Sequence, residues 1–101
     1  MSTPEGLVKA KVKKVLDKYR EHLYVLMPVQ NGMGTPTLDY LGWFKGHPFG
    51  IETKAGKARM TPRQELTAEK MRAGGAMVFL INEVEGLDEL EAWLDYLKGD
   101  F

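Results

Sequence analysis

The sequence contains no cysteine and only two histidines, His22 and His47. The lack of cysteine excludes disulfide bonds, thiolate metal sites and a cysteine nucleophile, and it fits a reducing cytoplasm. Two histidines argue against a His-ligated zinc and weaken any Ser-His-Asp interpretation. No apolar run approaches the roughly 20 residues that cross a bilayer, and the N-terminus lacks a basic-then-apolar leader. We therefore expect no membrane association.

The chain is long enough for one hydrophobic core and too short for two, so we expect residues 1–101 to form a single domain. The formal net charge of zero conceals an asymmetry. Thirteen Lys/Arg and seven Asp/Glu precede Glu83, whereas seven Asp/Glu and only Lys98 follow from Glu83 onward. A basic body with an acidic C-terminal helix can bind a polyanion on one face, although a mixed charged surface is the more ordinary explanation.

The residue pattern predicts an α/β protein with the element order α-β-β-β-α-β-α, a small mixed sheet flanked by helices. The strongest local signal is Thr61-Pro62-Arg63-Gln64, a capping box that begins a helix ending at Gly74-Gly75. The other predicted elements are a helix over 4–19, strands over 24–29, 38–44, 49–54 and 77–81, and a helix over 88–97. A Gly-rich loop, Asn31-Gly32-Met33-Gly34, follows the first strand.

The second and third strands form a predicted hairpin, with a tight turn within 45–48. If Phe44 pairs with Phe49, Asp39 lies opposite Lys54 and Leu41 opposite Glu52. Because paired residues share a face, Asp39, Glu52 and Lys54 then project to one side, with the two carboxylates as diagonal neighbours roughly 7–8 Å apart at the backbone. We therefore expect the carboxylates to converge on one cation.

Two carboxylates beside an ammonium suit the hydrolysis of a phosphodiester. Mg²⁺ is held through one or two carboxylates plus phosphate oxygens, and a lysine can offset charge that grows on the transition state. Each residue also has an ordinary explanation. Glu52 and Lys54 can be a solvated pair, Asp39 a turn residue, and Gln64 only the partner of Thr61 in the capping box.

In these motifs the sequence resembles the PD-(D/E)xK nuclease superfamily and, within it, the VRR-NUC domain. The resemblance implies a Mg²⁺- or Mn²⁺-dependent DNA endonuclease. It implies that Asp39, Glu52 and the Thr53 carbonyl are metal ligands, with Lys54 as the catalytic lysine and Gln64 as the glutamine of the fourth motif. The matching segments, about half the chain in the expected order, are residues 34–39, 49–54, 61–64 and 74–78.

Glu5 is a further candidate, because the family often carries a glutamate on its first helix that completes the metal site. Glu5 also has the i, i+3, i+7 spacing with Val8 and Val12 that points it toward the sheet. The equally favoured alternative is an acid that only complements the helix dipole. For DNA contact we expect Lys57, Arg59 and Arg63, which flank the site on a loop and a helix start.

Stand-alone versions of the domain resemble phage proteins, similar in architecture to Holliday-junction resolvases, and act as homodimers. The resemblance therefore implies cutting of branched DNA in a bacterial or phage-infected cytoplasm. Trp93, Tyr96 and Phe101 are candidates for the dimer interface, although core packing explains Trp93 equally well. The alternatives are a nuclease of broader substrate range, an inactive nucleic-acid-binding module of the same fold, and an interaction protein that acts through its acidic helix.

Overall fold

The computed structural model describes residues 3–29 and 35–99, and the predicted loop at 31–34 lies outside them. The element order of the helices and strands is the one that the sequence predicts. A short 3₁₀ turn, Arg20–His22, follows the first helix. The elements are α1 (Pro4–Asp17), β1 (Leu23–Leu26), β2 (Tyr40–Phe44), β3 (His47–Thr53), α2 (Pro62–Ala73), β4 (Met77–Ile81) and α3 (Leu87–Lys98).

The four strands form one sheet in the order β1-β2-β3-β4. The β1–β2 and β2–β3 pairs are antiparallel, whereas β4 runs parallel to β3. A parallel neighbour requires a crossover connection, and α2 supplies it between β3 and β4. The first turn of α2 therefore lies near the C-terminal end of β3, where Glu52 is located.

The β2–β3 turn consists of Lys45 and Gly46 alone, so β3 begins at His47, two residues earlier than predicted. Both have positive φ, 50° and 84°, the combination of a type I′ turn that matches the twist of a hairpin. His47 pairs with Phe44, and Pro48 belongs to the strand. Proline is tolerated there because its nitrogen faces away from β2 next to this hydrogen-bonded pair, and β4 pairs with β3 only from Phe49 onward.

This turn moves the register by two residues, so the predicted pairing of Asp39 with Lys54 and of Leu41 with Glu52 is wrong. Leu41 pairs with Gly50, and continuing the ladder one step past Tyr40 places Asp39 opposite Glu52. Side chains alternate with a period of two, so an even shift leaves every residue on its predicted face. Asp39 and Glu52 are therefore direct neighbours and not diagonal ones.

The two faces of the sheet are covered differently. One face packs against α1 and α3 and forms the main core, in which α1 buries Val8, Val12, Val15 and Leu16. The other face is covered by α2 through Ala68 and Met71. Within residues 3–29 and 35–99, no helix is long and apolar enough to cross a membrane.

Candidate active site

Five of the predicted site residues meet at the end of the sheet where β2 begins and β3 ends. They lie on three stretches of chain that are distant in sequence. The bend before β2 carries one, the end of β3 with the residue after it carries the next three, and the first turn of α2 carries the last: Asp39, Glu52, Thr53, Lys54 and Gln64. The hydrogen bonds among them define the geometry of the site.

Asp39 is held by two donors from the neighbouring strand. Its Oδ2 accepts a hydrogen bond from the Thr53 backbone N–H at 2.9 Å and another from the Thr53 Oγ1 hydroxyl at 2.7 Å. The backbone N–H of Asp39 in turn donates to Glu52 Oε1 at 3.2 Å. The two carboxylates are thus placed side by side by backbone groups, which have little freedom to move.

The Thr53 side chain is a site residue that the sequence analysis missed, since only its carbonyl was considered there. The correct two-residue turn would have revealed it, because that register puts Asp39 beside Glu52 and Thr53. Since the Thr53 N–H points toward Asp39 and both backbone groups of a strand residue point to the same side, its carbonyl faces the same side of β3. This orientation agrees with the predicted role of the carbonyl as a ligand.

Glu52 is the most buried carboxylate of the site, with 3% of its surface exposed. Its Oε2 accepts a hydrogen bond from Gln64 Nε2 at 2.8 Å and lies 3.5 Å from the Lys54 ammonium. Burial raises the pKa of Glu52, the negative charge of Asp39 raises it further, and Lys54 opposes both. The site therefore holds a carboxylate whose negative charge is costly and which a cation would stabilise.

Gln64 joins the helix start to the site through both ends of its amide. Its Oε1 accepts a hydrogen bond from the Thr61 N–H at 3.0 Å, which completes the capping box, while its Nε2 donates to Glu52. Because the cap engages the carbonyl end, the amino end must face the carboxylate. Gln64 therefore caps the helix and also contacts Glu52, so the capping explanation does not exclude the predicted site role.

Lys54 is neither a surface lysine nor a fully buried one, with 15% of its side chain exposed. Its backbone N–H donates to the Ile81 carbonyl at 3.0 Å, so its Cα is held at the end of β4. Strand alternation puts its side chain on the same face as Glu52. The ammonium is therefore held beside the Glu52 carboxylate and remains in contact with solvent.

Glu5 lies in the first turn of α1 and is not part of this cluster. Its side chain is 43% exposed and lies 3.5 Å from Lys9 Nζ. Gly6 and Tyr40 line the same groove, so the start of α1 lies at the end of the sheet where the site lies. Across the described ranges there is no group of three or more His, Cys, Asp or Glu residues placed to hold a metal ion.

The three cations predicted to contact DNA lie on two grooves. Lys57 and Arg59 are exposed and line a groove of about 700 Å³ between the 56–60 loop and the end of β4. The Gly56 N–H donates to Glu83 Oε1 at 2.8 Å, which anchors this loop. Arg63, in the first turn of α2, lines a second groove of about 280 Å³ beside Thr35 and Pro36.

The donor set fits a hard divalent cation such as Mg²⁺ or Mn²⁺. Two adjacent carboxylates and a backbone carbonyl offer only oxygen, and Mg²⁺ is bound in proteins by one or two carboxylates and completed by phosphate oxygens and water. Burial and the charge of Asp39 raise the pKa of Glu52, and a cation held by both carboxylates would relieve their repulsion.

The candidate interface residues are placed differently. Trp93 packs edge-on against Phe49 and also contacts Phe79, with ring centroids 5.8 and 5.5 Å away, so core packing accounts for it. Tyr96 is exposed on α3. Phe101 lies outside the described residues.

Comparison with known proteins identifies the fold. No family model and no curated protein matches the chain. A solved structure described as a VRR_NUC domain matches with a TM-score of 0.67 and 22% sequence identity, over 99% of both chains. The chain therefore has the fold of a VRR_NUC domain, which confirms the fold class and the resemblance that its motifs predict.

The pH dependence of stability provides a test of the buried Glu52. A carboxyl group whose pKa rises on folding stabilises the fold below its ordinary value of 4.5 and loses that contribution as the pH rises through the raised value. We expect the metal-free wild type to lose stability relative to Glu52→Gln as the pH rises from 4.5 toward neutrality. Urea unfolding in EDTA at a series of pH values measures this difference.

Glu69→Gln is the matched control, because Glu69 is an exposed glutamate on α2. Its stability relative to wild type should change little over the same pH range. If the difference in free energy of unfolding between wild type and Glu52→Gln does not change with pH, or shifts in favour of wild type as the pH rises, the burial of a charged Glu52 is contradicted.

Proposed function

We propose that this protein is a divalent-metal-dependent DNA endonuclease that hydrolyses phosphodiester bonds. The observation that carries the proposal is the burial of Glu52 between Gln64, Lys54 and Asp39 at one end of the sheet. A solvated strand pair would leave Glu52 exposed, whereas this carboxylate is desolvated and surrounded by groups with chemical roles. Perturbed carboxylates of this kind concentrate at functional sites.

Asp39, Glu52 and the Thr53 carbonyl would hold Mg²⁺ or Mn²⁺. When bound, such an ion polarises the phosphate and lowers the pKa of water. The protein supplies the positions: the Thr53 N–H and hydroxyl fix Asp39, and Gln64 fixes Glu52. Gln64 is in this scheme a positioning residue, because it reaches the reacting atoms only through Glu52.

Lys54 would act on the scissile phosphate itself. Its ammonium is 3.5 Å from Glu52 and partly exposed, so it can orient the attacking water and stabilise the negative charge that grows on the phosphate oxygens. The phosphate contacts of the duplex on either side fall to Lys57, Arg59 and Arg63. Contacts of this type recognise the shape and backbone of DNA and not its base sequence.

We further propose branched DNA, such as a four-way junction, as the substrate and a homodimer as the active form. Each site cuts one strand, and two sites related by a twofold axis match the symmetry of a junction. An inactive nucleic-acid-binding module with this fold is the second candidate, and the assembled Asp39, Glu52 and Lys54 argue against it. A nuclease of broader substrate range is a weaker form of the same proposal.

Cleavage of labelled DNA tests the activity and its substrate together. Four-way junction, flap, splayed and linear duplex substrates are incubated with Mg²⁺, with Mn²⁺ or with EDTA. We expect metal-dependent nicking of the junction and far slower cutting of the linear duplex. Equal rates on all substrates contradict junction specificity and leave the nuclease, whereas no cutting of any substrate in either metal contradicts catalysis.

Charge-changing variants separate the ligand from the lysine. Glu52→Gln removes a negative charge that faces the phosphate, so cutting should collapse while junction binding in EDTA holds or tightens. Lys54→Ala also abolishes cutting but removes a positive charge, so the same binding should weaken. Dissociation constants are measured at one fixed salt concentration, because phosphate contacts depend strongly on salt.

Lys14→Ala is the control for Lys54→Ala, since Lys14 is an exposed lysine on α1. It should retain cutting. If either site variant cuts at close to the wild-type rate, Glu52 and Lys54 are an ordinary strand pair and not an active site.

Glu5 lies outside the Asp39–Glu52 cluster and pairs with Lys9, and we propose that it completes the metal site only when an ion is bound. Glu5→Gln should then raise the metal concentration needed for half-maximal cutting while thermal stability barely changes. If Glu5 only complements the helix dipole, cutting should hold and stability should fall by about 0.3–1 kcal/mol. Lys9→Ala is the control, because it removes the ion pair and leaves the carboxylate. An unchanged metal requirement in Glu5→Gln contradicts the ligand role.

A further inference from the structure

Two exposed aromatic rings stack on each other across β1 and β2. Tyr24 of β1 and Trp43 of β2 are cross-strand partners, with ring centroids 4.9 Å apart and planes inclined by 29°. Tyr24 is 54% exposed and Trp43 50% exposed. The main core does not use this pair, which lies outside the cluster of buried side chains.

The stacked pair lies on the same face of the sheet as the candidate active site. Trp43 pairs with Pro48, and alternation along β3 places Pro48, Gly50 and Glu52 on one face. Trp43 is four residues beyond Asp39 on the same stretch of chain, which is about 13 Å at the rise of a strand. On this face α2 covers Gly50 through Met71. The rings nevertheless remain half exposed.

The flank of α2 nearest to β2 is basic. Arg63, Thr67 and Lys70 have the i, i+4, i+7 spacing of one helix face and line the groove beside Thr35 and Pro36. Among the described residues neither Arg63 nor Lys70 forms a salt bridge.

In the first turn of α2, the side of the helix opposite to Arg63 carries an acidic residue. Glu65 lines the other groove, between the 56–60 loop and β4. Arg63 and Lys70 are thus directed to the side of the sheet that carries the aromatic rings.

We propose that Tyr24 and Trp43 form a stacking platform for an unpaired nucleobase of the DNA substrate, with Arg63 and Lys70 holding the phosphates between the platform and the active site. The inference rests on the proposed function in taking DNA as the ligand. An open aromatic surface beside a cationic groove is the combination that binds single-stranded nucleic acid, because every base has a π face. A second copy of the chain fits less well, since a stable interface needs about 800 Å² on each partner and this platform is two rings beside a charged flank.

Two probes of equal charge separate stacking from phosphate binding. One is a 12-nucleotide oligothymidylate, and the other is an abasic oligonucleotide of the same length. Binding is measured in EDTA at one salt concentration. The wild type should prefer the oligothymidylate, and Trp43→Ala should weaken that binding about 5- to 150-fold while leaving the abasic probe unaffected. The emission of Trp43, obtained as the difference from Trp43→Phe, should be quenched by the oligothymidylate alone.

Two variants test whether the preference depends on an aromatic ring at position 43. Trp43→Phe keeps an aromatic ring and should retain most of the preference for the oligothymidylate. Tyr96→Ala removes an exposed ring on α3 and should leave it unchanged. Thermal melting of each variant verifies that it is folded.

The proposal is overturned if the wild type binds both probes equally, or neither, or if folded Trp43→Ala keeps the preference for the oligothymidylate. It is also overturned if Trp43→Ala converts a dimer into a monomer in sedimentation, because a second copy then covers the rings. These measurements contain no metal. If the protein cuts DNA with metal but binds both probes equally, the stacking platform is wrong and the nuclease proposal stands. If it prefers the oligothymidylate but cuts no DNA, the nuclease proposal is wrong and the platform stands.

Discussion

The burial of the Glu52 carboxylate beside Asp39 is the constraint on which the rest of the site depends. A buried negative charge next to a second carboxylate is unfavourable unless donors and a counter-charge surround it. The fold supplies the Asp39 N–H, the Gln64 amide and the Lys54 ammonium, each from a different position. The arrangement raises the pKa of Glu52, and a cation bound by both carboxylates would lower the cost of its negative charge.

Gln64 connects the Glu52 carboxylate to the start of α2. One amide caps α2 and also positions the carboxylate, so the start of the helix and the end of β3 are held together by the same side chain. Thr53 does the same for β2, since its N–H and hydroxyl both bind Asp39. Three separate segments are thereby fixed at one point of the sheet, and ordinary capping and strand pairing provide the preorganisation that the proposed hydrolysis would need.

The VRR_NUC fold and the site give different kinds of support to the proposed function. The fold likeness, at 22% identity, concerns the path of the chain. The case for hydrolysis rests on the chemistry of Asp39, Glu52 and Lys54, because a fold by itself hosts more than one activity. The exposed Tyr24–Trp43 pair lies on the same face of the sheet, and the proposed stacking platform would relate the proposed chemistry to the form of the DNA.

The sequence by itself determined the element order, the α2 cap and the face on which Asp39, Glu52 and Lys54 lie. Capping residues act within one turn of helix, and the period of two survives an even error in register, so local patterns suffice. Only the tertiary structure decided that Asp39 lies opposite Glu52, that the Thr53 hydroxyl binds it, and that Glu5 lies apart beside Lys9. The turn depends on Lys45 adopting a positive φ, which a lysine does only where the pairing of both strands and the packing of their faces stabilise it.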